Sequence, residues 1–398
     1  MSKKKKLIPE LRFPEFENEG EWEIKTIGDV ANSESSSMAL NKLDLKPTGY
    51  PVYGADSIVG YIDEFQHKEK YISIVKDGSG VGRLNLCQSN SSILGTLTSL
   101  KSKNKKQYDL DWLYYLLNTV DFSVYVKGAG IPHIYYSDFK NENVPVPTPK
   151  EQQKIASCLS SLDDLIQSHN QKLDLLIDHK KGLMQNLFPQ EGEKVPKLRF
   201  KEFEKDGEWN FKKLNKLGNL LNGLTYSPDD VREEGLLVLR SSNVQNGLID
   251  LNDSVYVRTD IQGANLLKPN DILICVRNGS KNLIGKNAII PKGMPLSTHG
   301  AFMTVFRATN PEFVFQLFQT DFYDTQVKAD LGATINSING KNFLKYEFPV
   351  PENPKEQQKI ALCLSSLDAL ITTQTEKIEQ LNLHKKGLIQ GLFPKTID

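Results

Sequence analysis

The chain has 398 residues, and its 49 Lys and Arg balance its 49 Asp and Glu for a formal net charge of zero. That length exceeds one ordinary hydrophobic core and predicts two domains, while neutrality argues against a general polyanion binder and leaves recognition to local charge. The four cysteines, Cys87, Cys158, Cys275 and Cys363, form no CxxC pair, which suggests neither a disulfide framework nor a zinc site and fits reduced, cytoplasmic thiols.

The start, MSKKKKLIPE, is basic, but no apolar run follows it. It is therefore not a secretory signal, and nowhere is a run long enough to span a membrane. The lead-in "PELRFPEFENEGEW" then ends at Trp22. From there to residue 147, short Val/Ile/Tyr/Leu runs broken by Gly, Asn, Asp and Pro predict strands and turns. "YPVYGADSIVGYI" and "KYISIVKDGSGVG" are examples, and a helix is expected around Asp111–Asn118.

Residues 148–188 read as one long helix. Apolar residues recur at steps of three and four through Ile155, Leu159, Leu162, Ile166 and Leu173, the seam of a helix that packs on another helix. Thr148-Pro149-Lys150-Glu151 supplies a cap hydroxyl, Pro at the first helical position and Glu three residues after the cap, a predicted capping box. Pro189 stops the helix, which would be roughly 55–60 Å long at about 1.5 Å per residue.

The chain then repeats itself. A linker over 189–208 carries a second lead-in, "PKLRFKEFEKDGEW", ending at Trp209. A second β-rich domain follows over 209–351, with a helix expected around Pro311–Gln326. A second long helix over 352–394 has its seam at Ile360, Leu364, Leu367, Ile371 and Ile378 and opens on Asn353-Pro354-Lys355-Glu356. The helix lines "KEQQKIASCLSSLDDLI" and "KEQQKIALCLSSLDALI" nearly coincide. This is a duplication at domain scale. Two matched seams have an obvious partner in each other, parallel or antiparallel.

The two β-rich domains are related to each other. Val75-Lys76-Asp77-Gly78-Ser79 resembles Val276-Arg277-Asn278-Gly279-Ser280, and "GAGIPHIYYSDFKNENVPVP" resembles "GATINSINGKNFLKYEFPVP". In the second alignment the apolar letters agree while the polar ones differ: Pro132 faces Asn336, His133 faces Ser337 and Tyr135 faces Asn339. One reading head tuned to two targets would look like this.

Catalytic signatures are missing. "GSGVG" at 78–82 matches neither the P-loop nor GxGxxG, since Arg83 stands where the third glycine belongs. HExxH, GxSxG and clustered metal ligands are absent from the sequence. His179 and His384 share a repeat position and read as exposed helix-face residues; Cys158 and Cys363 read as small packed ones.

Binding residues instead sit in polar turns. Lys76, Arg83, Lys127, Arg240, Arg277, Lys281 and Lys341 have Ser79, Ser241, Asn243, Asn278, Ser280, Asn336, Ser337 and Asn339 nearby, with His133 between. Arg and Lys neutralise phosphates or read guanine, and Asn reads adenine. Tyr135, Tyr136 and Tyr226 can pack on sugars or bases. The basic stretch "KSKNKKQ" (101–107) is a further phosphate candidate or a solvated loop.

These repeated lines, with "YPVYGADSIVGYID" and "LRSSNVQNGLIDLNDSVYV", resemble the DNA specificity subunit of type I restriction–modification systems over essentially the whole chain. The resemblance implies an α+β architecture of two tandem mixed α/β target recognition domains. Each is followed by a long helix, and the helices pair as an antiparallel coiled coil with pseudo-two-fold symmetry. It implies a bipartite, asymmetric double-stranded DNA target with one half-site per domain, the helices setting the gap. It implies two methylation subunits and restriction (motor-nuclease) subunits as partners. Cofactors (S-adenosylmethionine, ATP and Mg) belong to those partners, and this chain is implied to be non-catalytic, to bind no metal and to stay off membranes. The family's Gly-x-Thr turn appears only in the second domain, as Gly223-Leu224-Thr225 just before Tyr226; the first domain has "ANSESSSMALNK" instead. From the residues alone, the alternative is a self-contained DNA-modifying enzyme with a diverged active site.

Overall fold

The structure, a computed structural model, describes residues 7–331 and 336–394. It divides into two compact units, one formed by Met1–Gln171 with Thr375–Asp398 and the other by Lys172–Gln374. Each long helix is shared between them.

In the first unit a four-stranded antiparallel sheet runs in the order Ala31–Ser35, Leu97–Ser102, Tyr71–Val75, Leu84–Cys87. Tyr71–Val75 is buried at every position, which is why its sequence is an unbroken apolar run apart from Ser73. A smaller sheet joins Ile58–Ile62, Tyr50–Tyr53 and Ser92–Ile93, the last pair parallel. Glu23–Thr26 pairs antiparallel with Asn143–Val146 and brings the two ends of the domain together.

The second unit repeats this plan. Its main sheet is Gly218–Asn222, Met303–Ala308, Ile272–Cys275, Asn287–Ile289. Its second sheet again contains one parallel pair, Leu236–Leu239 with Ser297–His299. Asn210–Lys213 pairs with Glu347–Val350 to close it. The helix Leu110–Leu117 lies where a helix was expected, whereas the Pro311–Gln326 expectation resolves into two helices, Pro311–Leu317 and Asp321–Asp330. The break falls at Phe318–Thr320, where the Thr320 hydroxyl donates to Leu317 O at 2.6 Å and helps satisfy the end of the first helix.

The long helices span Pro149–Leu187 and Pro354–Leu392. Their starts match the sequence expectation, but the capping boxes do not close. Thr148 Oγ1 accepts Glu151 N at 3.4 Å, and Asn353 Oδ1 accepts Lys355 N at 3.0 Å. The two Glu carboxylates turn away from their caps to Arg12 and Arg199 of the lead-in segments. A charge-assisted, bidentate partner outcompetes a single backbone N–H. Next to them, Gln152 and Gln357 donate to Pro147 O and Pro351 O at 2.9 and 2.8 Å, tying helix to recognition domain.

Within each unit the helix halves run antiparallel. In the first, Asp163 pairs with Lys385, while Ile155, Ala156 and Leu159 share a core with Leu388, Ile389, Leu392 and Phe393. In the second, Asp368 pairs with Lys180 at 2.6 Å, and Ile360 and Leu364 share a core with Leu183, Met184, Leu187 and Phe188. The seam residues Ile155, Leu159, Ile360 and Leu364 also pack on the recognition domains, alongside Trp112 and Tyr115 in one unit and Phe313 and Leu317 in the other. Ile166 and Ile378 are buried; Leu162, Leu173, Leu367 and Ile371 are half-buried. Each Asp also holds the recognition domain: Tyr115 Oη donates to Asp163 at 2.7 Å and Gln316 Nε2 to Asp368 at 3.1 Å.

Candidate nucleic-acid interface

In the first unit the candidate residues gather where two segments meet. The strand Tyr71–Val75 leads into the loop 76–82, and the segment 127–134 lies against that loop. Ile134 N donates to Lys76 O at 2.8 Å and Gly78 N to Pro132 O at 2.9 Å, while Asp77 and His133 form an antiparallel bridge. Lys127 and His133 exchange backbone bonds at 2.9 and 2.8 Å. Backbone groups thus satisfy one another and leave side chains for a ligand. Lys76, Ser79, Lys127, His133 and Tyr135 share this edge, with Arg83 where the loop returns to the sheet. The His133 and Tyr135 rings lie 5.3 Å apart, and Tyr135 is exposed. Arg83 pairs with Asp56 and Lys127 with Asp138 at 2.6 Å. The Lys127 bond, then the Tyr135 N–H, holds the Asp138 carboxyl below its ordinary range.

The second unit builds the same edge from different side chains. Ile338 N donates to Val276 O at 2.8 Å, and Arg277 and Ser337 form the bridge. Asn336 Nδ2 donates to Gly279 O at 3.1 Å, replacing with a side chain what Gly78 N and Pro132 O do in the first unit. Asn278 Nδ2 donates to Ser241 Oγ at 3.1 Å and its Oδ1 accepts Ser280 N at 3.0 Å, which brings a further loop to the edge. Arg277 lies over the Phe302 ring, 5.8 Å from its centroid. Lys281 and Lys341 are exposed. No carboxylate among the described residues pairs with Lys76, Arg277, Lys281 or Lys341.

The backbone corrects one alignment. Val75 N donates to Arg83 O and Gly82 N to Val75 O; the matching pair in the second unit is Cys275 N to Lys286 O and Gly285 N to Cys275 O. Lys76 therefore matches Val276, and Asp77 matches Arg277, one residue out of step with the alignment by letters. The second loop is longer, 276–285 against 76–82, so its Gly-Ser falls at a different place along the turn. The other alignment holds where it is described: Pro132 matches Asn336 and His133 matches Ser337, while Tyr135 and Asn339 each precede a short helix. Its Gly332–Ile335 portion lies outside the described residues.

Several candidates are engaged by the scaffold. Asn243 is fully buried: its Oδ1 accepts Arg240 N at 2.8 Å and its Nδ2 donates to Asp250 O and Asp253 O at 2.8 and 3.0 Å. The Tyr136 hydroxyl donates to Ala31 O at 2.6 Å. Asn339 caps the helix Gly340–Phe343 by accepting Lys341 N at 2.9 Å. Tyr226 packs against Leu224, Leu236, Val238 and Val257, and the Arg240 guanidinium is held by Asp253 at 2.7 Å. In the basic stretch 101–107, Lys101 is spent on Glu34, Lys105 on Glu69 and Lys103 on Gly28 O. Phe302 is absent from the sequence-based candidates; it is exposed, and a lone aromatic shortly after the polar Ser297-Thr298-His299 is its only sequence signal.

Among the described residues no group of His, Cys, Asp and Glu could hold a metal, and no helix is long and apolar enough to cross a membrane. A family model, the type I restriction modification DNA specificity domain, matches residues 19–176 and 206–383, one match per copy of the repeat. The chain is 27% identical over 410 residues to the type I restriction enzyme MjaVIII specificity subunit of Methanocaldococcus jannaschii, covering 97% of this chain and 94% of that one. It is 28% identical over 204 residues to the EcoKI specificity subunit of Escherichia coli K12, covering 48% and 42%. The fold matches the crystal structure of a type I restriction–modification S subunit from M. genitalium with a TM-score of 0.70 at 18% identity, over 98% of this chain and 100% of that one. The chain belongs to the type I restriction–modification DNA specificity family.

Proposed function

We propose that this chain is the non-catalytic specificity subunit of a type I restriction–modification complex. It binds a bipartite, asymmetric double-stranded DNA sequence, one half-site per unit. The observation that carries this reading is the paired edge. The bridges Asp77–His133 and Arg277–Ser337 have the same backbone scaffold and different side chains. One scaffold with two sets of polar groups suits two related tasks with two different base sequences.

The long helices set the unread gap between half-sites and dock the partners. Each unit carries a groove beside the second half of a helix. One, of 720 Å³, is lined by Lys180, Lys181, Met184, Gln185 and Phe188. The other, of 970 Å³, is lined by the repeat counterparts Lys385, Lys386, Ile389, Gln390 and Phe393. Two like surfaces fit two copies of one partner, the methylation subunits, with restriction subunits joining through them. Those partners supply S-adenosylmethionine, ATP and Mg, and the assembly works in the cytoplasm.

Selection from a random duplex pool by the chain with its methylation subunits tests the reading. Two short motifs at a fixed spacing are expected. Recovery of a single motif, or of none, would contradict it.

A further inference from the structure

The two edges differ most at a position where their backbones agree. Asp77 and Arg277 occupy equivalent bridge positions, opposite His133 and Ser337. Asp77 is half-buried, and no cation or hydrogen-bond donor among the described residues engages its carboxylate; Arg83 and Lys127 of the same edge are spent on Asp56 and Asp138. An unpaired carboxylate on a face that meets phosphates is repelled by them. Its favourable use there is as an acceptor for a base amino group, and cytosine N4 is the one that carboxylates read in the major groove. The Arg277 guanidinium lies over Phe302, 5.8 Å from the ring centroid, and no carboxylate among the described residues pairs with it, so its donor edge is unclaimed. That edge matches guanine O6 and N7. A Cβ built at Gly78 or Gly279 would meet nothing within 4 Å, so both loop tips open onto free space beside these residues.

We infer that Asp77 and Arg277 are equivalent specificity determinants of opposite sign. Asp77 reads a cytosine in the half-site of the first unit, and Arg277 reads a guanine in that of the second. The assignment rests on the specificity-subunit reading above and names the bases that reading leaves open.

The test is duplex selection with the chain and its methylation subunits, run on wild type, Asp77→Asn, Asp77→Ala and Arg277→Gln. Asp77→Asn is expected to move one position of one half-site from cytosine toward adenine, by roughly ten- to a hundredfold in preference, with the other half-site and the gap retained. Asp77→Ala is expected to relax that same position to any base. Arg277→Gln is expected to move one position of the other half-site from guanine toward adenine. Unchanged motifs, or uniform weakening on all sequences, would overturn the assignment. So would loss of an entire half-site in both Asp77 variants, which would mark a structural role. A wild-type chain that selects no bipartite motif would defeat the specificity-subunit reading itself.

Discussion

The Arg12 guanidinium closes on both oxygens of Glu151, at 2.8 and 2.9 Å, while its remaining nitrogen donates to Gly20 O at 2.8 Å. Arg199 repeats the arrangement on Glu356 at 2.7 and 2.8 Å, with Gly207 O at 2.6 Å. In both pairs the side chains are 7% and 1% exposed. Each Arg fastens an LRF lead-in to the first turn of a long helix, which accounts for the repeated Arg and Glu letters. Arg12→Ala leaves a buried carboxylate without its partner and should cost about 3–5 kcal/mol. Denaturant unfolding checks this. The double variant Arg12→Met with Glu151→Met should regain most of that loss, because it removes the stranded charge.

Acid should destabilise the fold through two buried histidines. Burial, then Lys101, lowers the His67 pKa, and burial lowers that of His299, so both are neutral when folded at neutral pH. The unfolded chain takes up protons first as pH falls through about 6.5. Their contribution is therefore intact above that value and is lost as pH drops toward the depressed folded pKa. Urea midpoints should fall between about pH 7.5 and 5.5, and His299→Gln should flatten the fall. An unaltered slope in that variant would show that His299 does not contribute.

Lengthening both helices should lengthen the gap. Four residues inserted after Ser168, with four after its repeat counterpart Thr373, add about 6 Å of helix. At about 3.4 Å per base pair, the unread gap should grow by roughly two base pairs with both half-sites unchanged. Duplex selection reads this directly, and an unchanged gap would refute the spacing role.

Reversing one groove charge should remove one partner. Lys181 and Lys386 are exposed and line equivalent grooves. Lys386→Glu alone should lower methylation-subunit stoichiometry from two toward one, and Lys181→Glu with Lys386→Glu should lower it toward none. Native mass spectrometry checks this; two copies retained in the double variant would place docking elsewhere.

Much of this architecture was legible because duplication and periodicity are local signals. The two helices, their proline starts and their proline ends follow from spacing alone. Partner choice was not legible. Glu151 looks like the far arm of a capping box, yet its partner Arg12 lies 139 residues away. Tertiary competition decided that bond. Asn243 and Tyr136 looked like reading residues because polar letters do not reveal which side of a backbone they face; the fold spends them on Asp250, Asp253 and Ala31. The letters V-[KR]-[DN]-G-S aligned the two loops one residue out of register, and only the ladder bonds of Val75 and Cys275 exposed the Asp77–Arg277 equivalence.

One scaffold, used twice with different side chains, is expected to read two different half-sites. Mapping methylated positions on genomic DNA exposed to this chain with its methylation subunits decides this. One motif family with two unlike half-sites at a fixed spacing is expected. A palindromic motif, or methylation without a fixed gap, would contradict it.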